Sequence, residues 1–587
     1  MLERFLLLRM KYISEKQLIL ILSVIIGVLA AIAAVVLKTS VHYLEGWVRS
    51  VPGAHLGNWL FLVFPLIGIL ITVVYVRRVV KADISHGVSR ILHAISRNKG
   101  VIKLHNTYSS IVACTFTGGF GGSVGMEAPI VFTGAAIGSN VAQASRLGFR
   151  RTNLLIGCGA AAAIAAIFKA PIAGLIFALE VLMLDLTMAS IIPLLLATVV
   201  ATIFSTIFLG EGIEFYFTLK DPFNYGHIPV YILLGVVTGL VSLYFTWMNS
   251  RVESRVHKID DPYTRVLYGG SLLGMLIFLF PPLFGEGYYT MRSMLTGRPE
   301  QLLDESIFGH LVDHTGLVFV GFMVLVLFFK AIATSLTTGA GGIGGVFAPS
   351  LFMGAFTGFI FSRLFNLFGN WRISEHNFSL VGMAGLIAGV IHAPLTAIFL
   401  IAEITGGYEL FIPLILVSSI SYMTVVYFQP HSLYTRKLAQ KGHLITHHKD
   451  KTVLTLLSVE SVLETGFDKV NPRQSLGELV KVIAKTSRNI FPVTDQENNF
   501  LGIVRLDDVR EVMFDREQYD TLFVHHVMIQ PRAIINIDDS METVMQKFRE
   551  TGLWNMAVVD HGKYRGFVSR SNVFNIYRKK LQEVSED

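Results

Sequence analysis

Charged side chains are scarce in this chain of 587 residues, where Asp, Glu, Lys and Arg together make up only 16%. Soluble domains contain about 25% charged residues, so an ordinary soluble enzyme of this size is excluded. A hydrophobic share of 52% also excludes a disordered chain. The scarcity is uneven, because 50 charged residues are spread over residues 1–440 and 41 fall within residues 441–587. The composition therefore predicts a membrane domain followed by a soluble domain.

Cysteine is nearly absent, since Cys114 and Cys158 are the two instances and both lie in apolar stretches. A disulfide framework is excluded, and the sequence has no CxxC motif for metal or redox chemistry. It also lacks a phosphate-binding GxxxxGKS/T loop. We therefore expect neither an enzyme nor a metal site. The net charge of +7 arises within residues 1–440 and indicates loops beside a bilayer rather than nucleic-acid binding.

Long uncharged runs take the place of the missing charges. The first runs from Gln17 to Leu37 and has 21 residues, which is enough to span a bilayer as a helix. Four basic residues precede it within residues 1–16, so we expect this segment to be cytoplasmic. Later runs are interrupted by glycine or by Ala-Pro pairs, which indicates helices that end inside the membrane. We expect an integral protein of the bacterial inner membrane with both termini in the cytoplasm.

Two segments of the apolar part are similar to each other. Residues 125–138, GMEAPIVFTGAAIG, match residues 345–358, GVFAPSLFMGAFTG, at seven of 14 positions. Two Ala-Pro pairs further along, at 170 and 393, are each followed by a glutamate nine residues after the proline. The offsets of 220 and 223 are nearly equal, which predicts two homologous halves. Such repeats usually place the substrate site where the halves meet. Chance similarity of apolar segments is the alternative.

Each matching segment has glycines before it and a proline near its start. Glycine lets backbones approach closely, and proline is tolerated in a first helical turn, so both segments are predicted to be helix N-termini. A helix N-terminus offers free N–H groups and about half a positive charge. Two of them form an anion site that suits an ion which must bind and also leave. Ordinary helix packing through small residues is the alternative.

Glu127 occupies the first of these predicted helix starts, and its repeat partner is Phe347. The repeat therefore does not require a carboxylate at that position. An ionised Glu127 would mimic the anion, and it would let the anion pass when protonated or displaced. A simple helix cap is the alternative. Neither repeated segment contains arginine, which disfavours a transporter that clamps an organic carboxylate.

The two glycine-proline segments resemble the signatures of CLC chloride channels and transporters, as do Ala-Pro-Ile-Ala-Gly at 170–174 and the late Tyr434. The resemblance covers residues 17–440. It implies an all-α polytopic membrane protein with an inverted repeat and broken helices, which forms a homodimer and conducts chloride through one pore per subunit. It also implies that Glu127 is the gating glutamate. The residues it assigns to anion binding are His86, Gly87, Gly125, Met126, Val346, Phe347 and Tyr434.

Two departures from the family pattern concern the anion. The early Gly-Ser-Gly-Ile-Pro motif is Ser85-His86-Gly87-Val88-Ser89 here, so His86 replaces the serine that contacts the central anion. A neutral imidazole donates one hydrogen bond, and a protonated one adds a charge. The preference among chloride, bromide and nitrate therefore stays open, as does a place for His86 outside the pore. Met126 stands where the family has a basic residue.

A third departure concerns protons. Family exchangers typically carry a second glutamate that passes protons to the gating one, and Val181 occupies that position here. Valine cannot carry a proton, so we predict a gated passive anion channel that is sensitive to voltage or pH. The alternative is a proton-coupled chloride exchanger with a non-standard proton path. The neighbouring Glu180 could substitute, but its repeat partner Glu403 suggests a structural role for both.

The charged C-terminal part contains a second repeat. A strand, turn and strand at 491–505 match 556–569, and a helix precedes each. This resembles a tandem pair of α/β CBS domains, expected at 452–520 and 521–587 after a linker at 441–451. Such pairs can bind adenine nucleotides, with Asp508 or Asn572 as candidates for the ribose hydroxyls. A purely structural pair that stabilises the homodimer is the alternative. We expect no required cofactor.

We predict that His86→Ser alters the order of anion permeability, because it exchanges an imidazole for the hydroxyl that the family uses. Reversal potentials or vesicle fluxes with chloride, bromide and nitrate measure this order. An identical series in both proteins would place His86 outside the pore.

Overall fold

The computed structural model describes residues 14–50, 59–85, 87–184, 187–210, 223–296, 299, 301–304, 306, 316–368, 372–440 and 457–585. It contains two compact units, Met1–Leu444 and Ile445–Asp587. The first is helical, and the second combines five short strands with helices. The predicted linker at 441–451 and the candidate anion ligand His86 lie outside the described residues.

The helices of the first unit differ widely in length, and several end next to glycine or proline. In chain order they are α1 Glu15–Ser50, α2 Phe64–Tyr75, α3 Gly87–Arg97, α4 Ser109–Gly119, α5 Glu127–Ala144, α6 Phe149–Phe168, α7 Pro171–Glu180, α8 Met188–Leu209, α9 Ile228–Val256, α10 Pro262–Leu279, α11 Tyr288–Leu295, α12 Gln301–Asp304, α13 Leu317–Gly339, α14 Phe347–Phe368, α15 Glu375–Ile391, α16 Pro394–Ile404, α17 Phe411–Phe428 and α18 Arg436–Gln440.

Eight helical segments within the described residues are long and apolar enough to cross a membrane. The predicted first span lies inside α1, which has 36 residues and continues beyond Leu37. Lys38 lies within the helix, and its ammonium group donates to the carbonyl oxygen of Ile167 at 3.4 Å. The shorter apolar helices α7, α15 and α16 agree with the expectation of helices that end inside the membrane.

Glycines at matching places pack the helices of each half. A Cβ atom at Gly134 of α5 would lie 2.2 Å from the carbonyl oxygen of Gly159 in α6. At the corresponding place in the second half, a Cβ atom at Gly354 of α14 would lie 2.5 Å from the carbonyl oxygen of Gly382 in α15. No side chain fits at such distances. Part of the glycine surplus therefore serves helix packing, which the sequence analysis raised only as an alternative.

The two halves also cap each other's helices. Both carboxylate oxygens of Glu180, at the end of α7, accept hydrogen bonds from the start of α16, where the N–H of Thr396 donates at 2.8 Å. In return, Glu403 of α16 accepts from the N–H groups of Ile172 and Ala173 at the start of α7, at 3.0 and 2.8 Å. The exchange satisfies donors that a helix N-terminus leaves open. Glu180 and Glu403 thus have equivalent structural roles in the two halves, as the repeat suggested.

The second unit has two strand pairs with the same design. Its elements are α19 Leu476–Lys485, β1 Ile490–Thr494, β2 Phe500–Arg505, α20 Leu506–Val509, α21 Val524–Val527, β3 Ile535–Asn536, α22 Met541–Thr551, β4 Asn555–Asp560, β5 Lys563–Ser569 and α23 Arg570–Ser585. Strands β1 and β2 pair antiparallel, as do β4 and β5, and the register shifts at matching places in both pairs. This confirms the second repeat.

Serine caps begin the long helix before each strand pair. Ser475 accepts from the N–H of Glu478 at the start of α19, and Ser540 accepts from the N–H of Thr543 at the start of α22. A serine in this position typically stabilises a helix by about 1 kcal/mol. A buried cluster that includes Ile503 of the first repeat and Phe567 of the second packs the two repeats together. The unit is therefore α/β, as predicted.

We predict that Glu180→Gln and Glu403→Gln each lower the free energy of unfolding by about 1–3 kcal/mol, because a half-buried carboxylate that accepts two helix N–H groups is replaced by an amide. Thermal unfolding of the purified protein measures the loss. Both variants should keep the ion flux of the wild type. A selective loss of proton movement in Glu180→Gln would contradict the structural role.

Candidate anion site

The two predicted helix starts meet. Gly125, just before α5, and Gly345, just before α14, form an antiparallel backbone pair. The N–H of Gly125 donates to the carbonyl of Gly345 at 2.9 Å, and the N–H of Gly345 donates back at 2.7 Å. Helix N-termini from the two halves therefore converge at one place in the protein. Because each contributes free N–H groups and partial positive charge, the junction favours an anion.

A carboxylate already lies at this junction. Glu127 is only 2% exposed, and its Oε1 accepts a hydrogen bond from the hydroxyl of Tyr288 at 2.9 Å. Its Oε2 has no hydrogen-bond partner among the described residues, and it would lie 2.0 Å from a Cβ atom at Gly125. The side chain thus folds back over Gly125, which only glycine permits. Glu127 is placed where it can mimic an anion, although its gating role stays a prediction.

A cavity of about 330 Å³ reaches the junction, and we name it the large cavity. Its wall includes Gly87 and Tyr434, and Val346 lines it beside the backbone pair. Gly87 begins α3 against the first turn of α5, because a Cβ atom there would lie 2.7 Å from the carbonyl oxygen of Ala128. The hydroxyl of Ser89 donates to the carbonyl of Tyr434 at 2.8 Å and ties α3 to this late segment. Three predicted anion ligands therefore share one cavity.

A second cavity of about 10 Å³, which we name the small cavity, has room for at most about one water molecule. It is lined by Lys38, His42, Met126, Glu127, Ile167, Phe168, Glu286 and Tyr288. Met126 and Glu127 therefore line a different cavity from Gly87, Val346 and Tyr434. Phe347 begins α14, is 1% exposed, and packs its ring against Phe168 with 5.5 Å between the ring centroids. The resemblance had assigned all of these candidates except Glu127, the predicted gate, to anion binding.

Two ionisable residues near the small cavity, Glu286 and Lys330, were not identified as candidates from the sequence. Glu286 is 9% exposed, and its Oε1 accepts from the N–H of Met126 at 2.8 Å. Lys330 of α13 is fully buried, and its ammonium group donates to the carbonyl of Gly285 at 3.1 Å. A signal was present, because Lys330 is the single charged residue between 317 and 362. Charges inside a membrane domain are functional candidates.

The structure also describes Val181, which stands where family exchangers are expected to carry the second glutamate. Val181 directly follows α7, is 6% exposed, and its N–H donates to the carbonyl of Phe177 at 2.9 Å. No ionisable group is available from this side chain. The large cavity does carry ionisable side chains, since Glu253, His257 and Arg436 belong to its wall.

The candidate nucleotide ligands of the second unit are engaged within the protein. Asp508 accepts from Arg505 through both oxygens, at 2.9 and 2.5 Å, and this pairing lowers the pKa of its carboxyl. The side-chain amide of Asn572 donates to the carbonyl of Val462 at 3.0 Å. Ribose binding would have to compete with these contacts, and nucleotide binding stays a prediction.

Comparison with known proteins agrees with this architecture. The family model described as voltage gated chloride channel matches residues 67–426, and the CBS domain model matches residues 459–515 and 524–579. The chain therefore belongs to the CLC family and carries two CBS domains at its C-terminal end.

Relatives within the family bear two kinds of name. The H(+)/Cl(-) exchange transporter ClcA of Vibrio cholerae is 27% identical over 68% of this chain and 84% of its own length. The voltage-gated ClC-type chloride channel ClcB of Escherichia coli is 30% identical over 54% of this chain and 72% of its own. A solved slow cyanobacterial Cl-/H+ antiporter shares the fold, with a TM-score of 0.63, 22% identity, and coverage of 73% of this chain and 98% of that one. The chain is thus a membrane protein of a chloride-transporting family.

We predict that Gly125→Ala weakens the dependence of chloride flux on Glu127. The added Cβ atom would lie 2.0 Å from Oε2 and displace the carboxylate from the helix starts. If Glu127 controls passage, wild-type flux should change by up to about tenfold per pH unit while this single carboxyl titrates, and Gly125→Ala should flatten the curve. Vesicle flux between pH 4.5 and 7.5 measures it.

Gly345→Ala is the matched control, because its Cβ atom would lie 2.9 Å from the Cβ of Ala128, with no Glu127 atom among its nearest neighbours. It alters the same backbone pair and should keep the pH dependence. Parallel curves for the wild type and Gly125→Ala would contradict a gating role for Glu127.

Proposed function

We propose that the protein exchanges chloride for protons across a membrane, with Glu127 as the group that both ions share. This differs from the passive channel that the sequence analysis preferred. The proposal depends chiefly on the place of the Glu127 carboxylate. A side chain that is 2% exposed and folded between two helix starts leaves no room for an anion at the same point.

The physical basis is competition for one positive site. Ionised Glu127 and chloride are both attracted to the helix N-termini, and their like charges exclude each other in a medium of low dielectric constant. A proton on Glu127 removes its charge and weakens its hold on the site, so chloride can enter. Alternation between these states moves a proton and a chloride ion in opposite directions.

The names of the relatives support exchange. The Vibrio cholerae relative is named as an exchange transporter, and the cyanobacterial protein with the same fold is titled an antiporter.

Exchange requires a proton route that avoids Val181. The large cavity supplies candidates, because Glu253 and His257 line it four residues apart around the end of α9, together with Tyr434 at the anion site. A cavity of about 330 Å³ has room for several water molecules between them. We propose that a proton passes from Glu253 through this water towards Glu127.

A passive channel is the second candidate, and Val181 is the observation that favours it. The ClcB relative at 30% identity is named as a channel. A channel would need Glu127 to stay displaced during conduction, whereas an exchanger needs it to return in every cycle.

We predict that an outward chloride gradient drives protons into vesicles that contain the purified full-length protein, even against a proton gradient. Simultaneous chloride and pH recording measures both fluxes. Glu127→Gln, which carries no titratable group, should keep chloride flux and abolish proton movement. Glu253→Gln should slow proton movement more than chloride flux.

Glu180→Gln is the control for Glu253→Gln, because Glu180 accepts backbone hydrogen bonds away from both cavities. Its coupling should match that of the wild type. Chloride flux without proton movement in the wild-type protein would refute exchange and leave the channel.

A further inference from the structure

A short turn presents Glu286 to the start of α5. Gly285 and Gly287 flank it with φ angles of +60° and +89°, which favour glycine. A Cβ atom at Gly287 would lie 2.4 Å from the ring of Phe352, so the turn is packed tightly. The N–H of Gly285 donates to the carbonyl of Gly121 at 3.1 Å. The backbone therefore fixes where the carboxylate of Glu286 lies.

A buried cation lies behind this turn. The ammonium group of Lys330 donates to the carbonyl of Gly285 and lies 4.6 Å from the centroid of the Phe352 ring. It is also close enough to Glu286 to interact with it electrostatically. Burying one of these charges alone would be costly, so each compensates the other. Lys330 therefore places a basic group beside the turn that carries Glu286.

Glu286 accepts a hydrogen bond from a backbone N–H that could otherwise donate to a bound anion. The N–H of Met126 lies at the start of α5, where the helix itself offers no acceptor, and it donates to Oε1 of Glu286 at 2.8 Å. Glu127 follows in the sequence, and its buried Oε2 has no hydrogen-bond partner among the described residues. Two carboxylates thus share one helix N-terminus, and together they leave a cavity of about 10 Å³.

We propose that Glu286 is a second carboxylate of the anion path. It accepts the Met126 N–H in competition with the transported anion, and it thereby determines the anion affinity of the site at the small cavity. An anion reaching the small cavity must displace Glu286 as well as Glu127. The inference concerns anion binding and applies to an exchanger and to a channel alike. The charged and titratable groups around Glu286 include Lys38, His42, Glu45, Cys114, Glu127, Tyr288 and Lys330.

The test is the chloride dissociation constant of the full-length protein in detergent, measured calorimetrically with sodium chloride against an isethionate background. Glu286→Gln keeps the size of the side chain and removes its charge. We expect chloride to bind at least about tenfold more tightly, a difference of about 1.4 kcal/mol. Glu286→Ala, which also frees the Met126 N–H, should show at least the same gain, and either variant suffices if the other does not fold.

Two further variants separate this role from a structural one. Glu403→Gln removes a carboxylate that accepts two helix-start N–H groups outside the anion site, so it should leave chloride affinity unchanged. Lys330→Met should weaken chloride binding, and Glu286→Gln should restore much of it in the double variant, because the two charges interact.

Equal affinities in the wild type, Glu286→Gln and Glu286→Ala would overturn the proposal and leave Glu286 as a helix cap. A tighter chloride site in Glu403→Gln of the same size would also overturn it, because the effect would then follow from any lost cap. Chloride binding is measured without flux, so its result is independent of the exchange test. The role of Glu286 can fail while proton-coupled exchange holds, and exchange can fail while the role of Glu286 holds.

Discussion

The backbone pair between Gly125 and Gly345 is the constraint on which the site depends. Two hydrogen bonds bring the starts of α5 and α14 together, so two helix dipoles direct their positive ends at one point. That convergence is unfavourable unless negative charge is near. Carboxylates supply it in this structure, and a transported anion can take their place. The glycines follow from the same constraint, because side chains would separate the two backbones.

Carboxylates at helix starts serve two purposes in this fold. Glu180 and Glu403 use both oxygens on backbone N–H groups of the opposite half, and so they are fully engaged. Glu127 has one oxygen bonded to Tyr288 and one oxygen without a partner among the described residues. The chemical group is the same, but the number of partners differs. A saturated carboxylate fixes a helix, whereas an incompletely bonded one can leave its place at lower cost.

The repeat explains how much of the fold could be predicted. Matching Gly-x-x-Ala-Pro segments indicated two helix starts that meet, because the repeated halves place equivalent segments together. The helix expected before each strand pair of the second unit is also present, and each one begins at a serine cap that the sequence analysis had not used. Glu286 and Lys330 have no such local pattern, since 160 residues separate Glu286 from Met126 and its turn has no recognised repeat partner. Contacts between distant segments need the folded chain to be seen.

The exchange of caps has a consequence for synthesis. Ile172 receives its hydrogen-bond partner from Glu403, which is 231 residues later in the chain. At roughly 5–20 residues per second, a ribosome needs on the order of 10–50 s to make the intervening segment. During that interval the start of α7 is in the nascent protein without its final acceptor. The first half is therefore incomplete as a folding unit until Glu403 of the second half has been made.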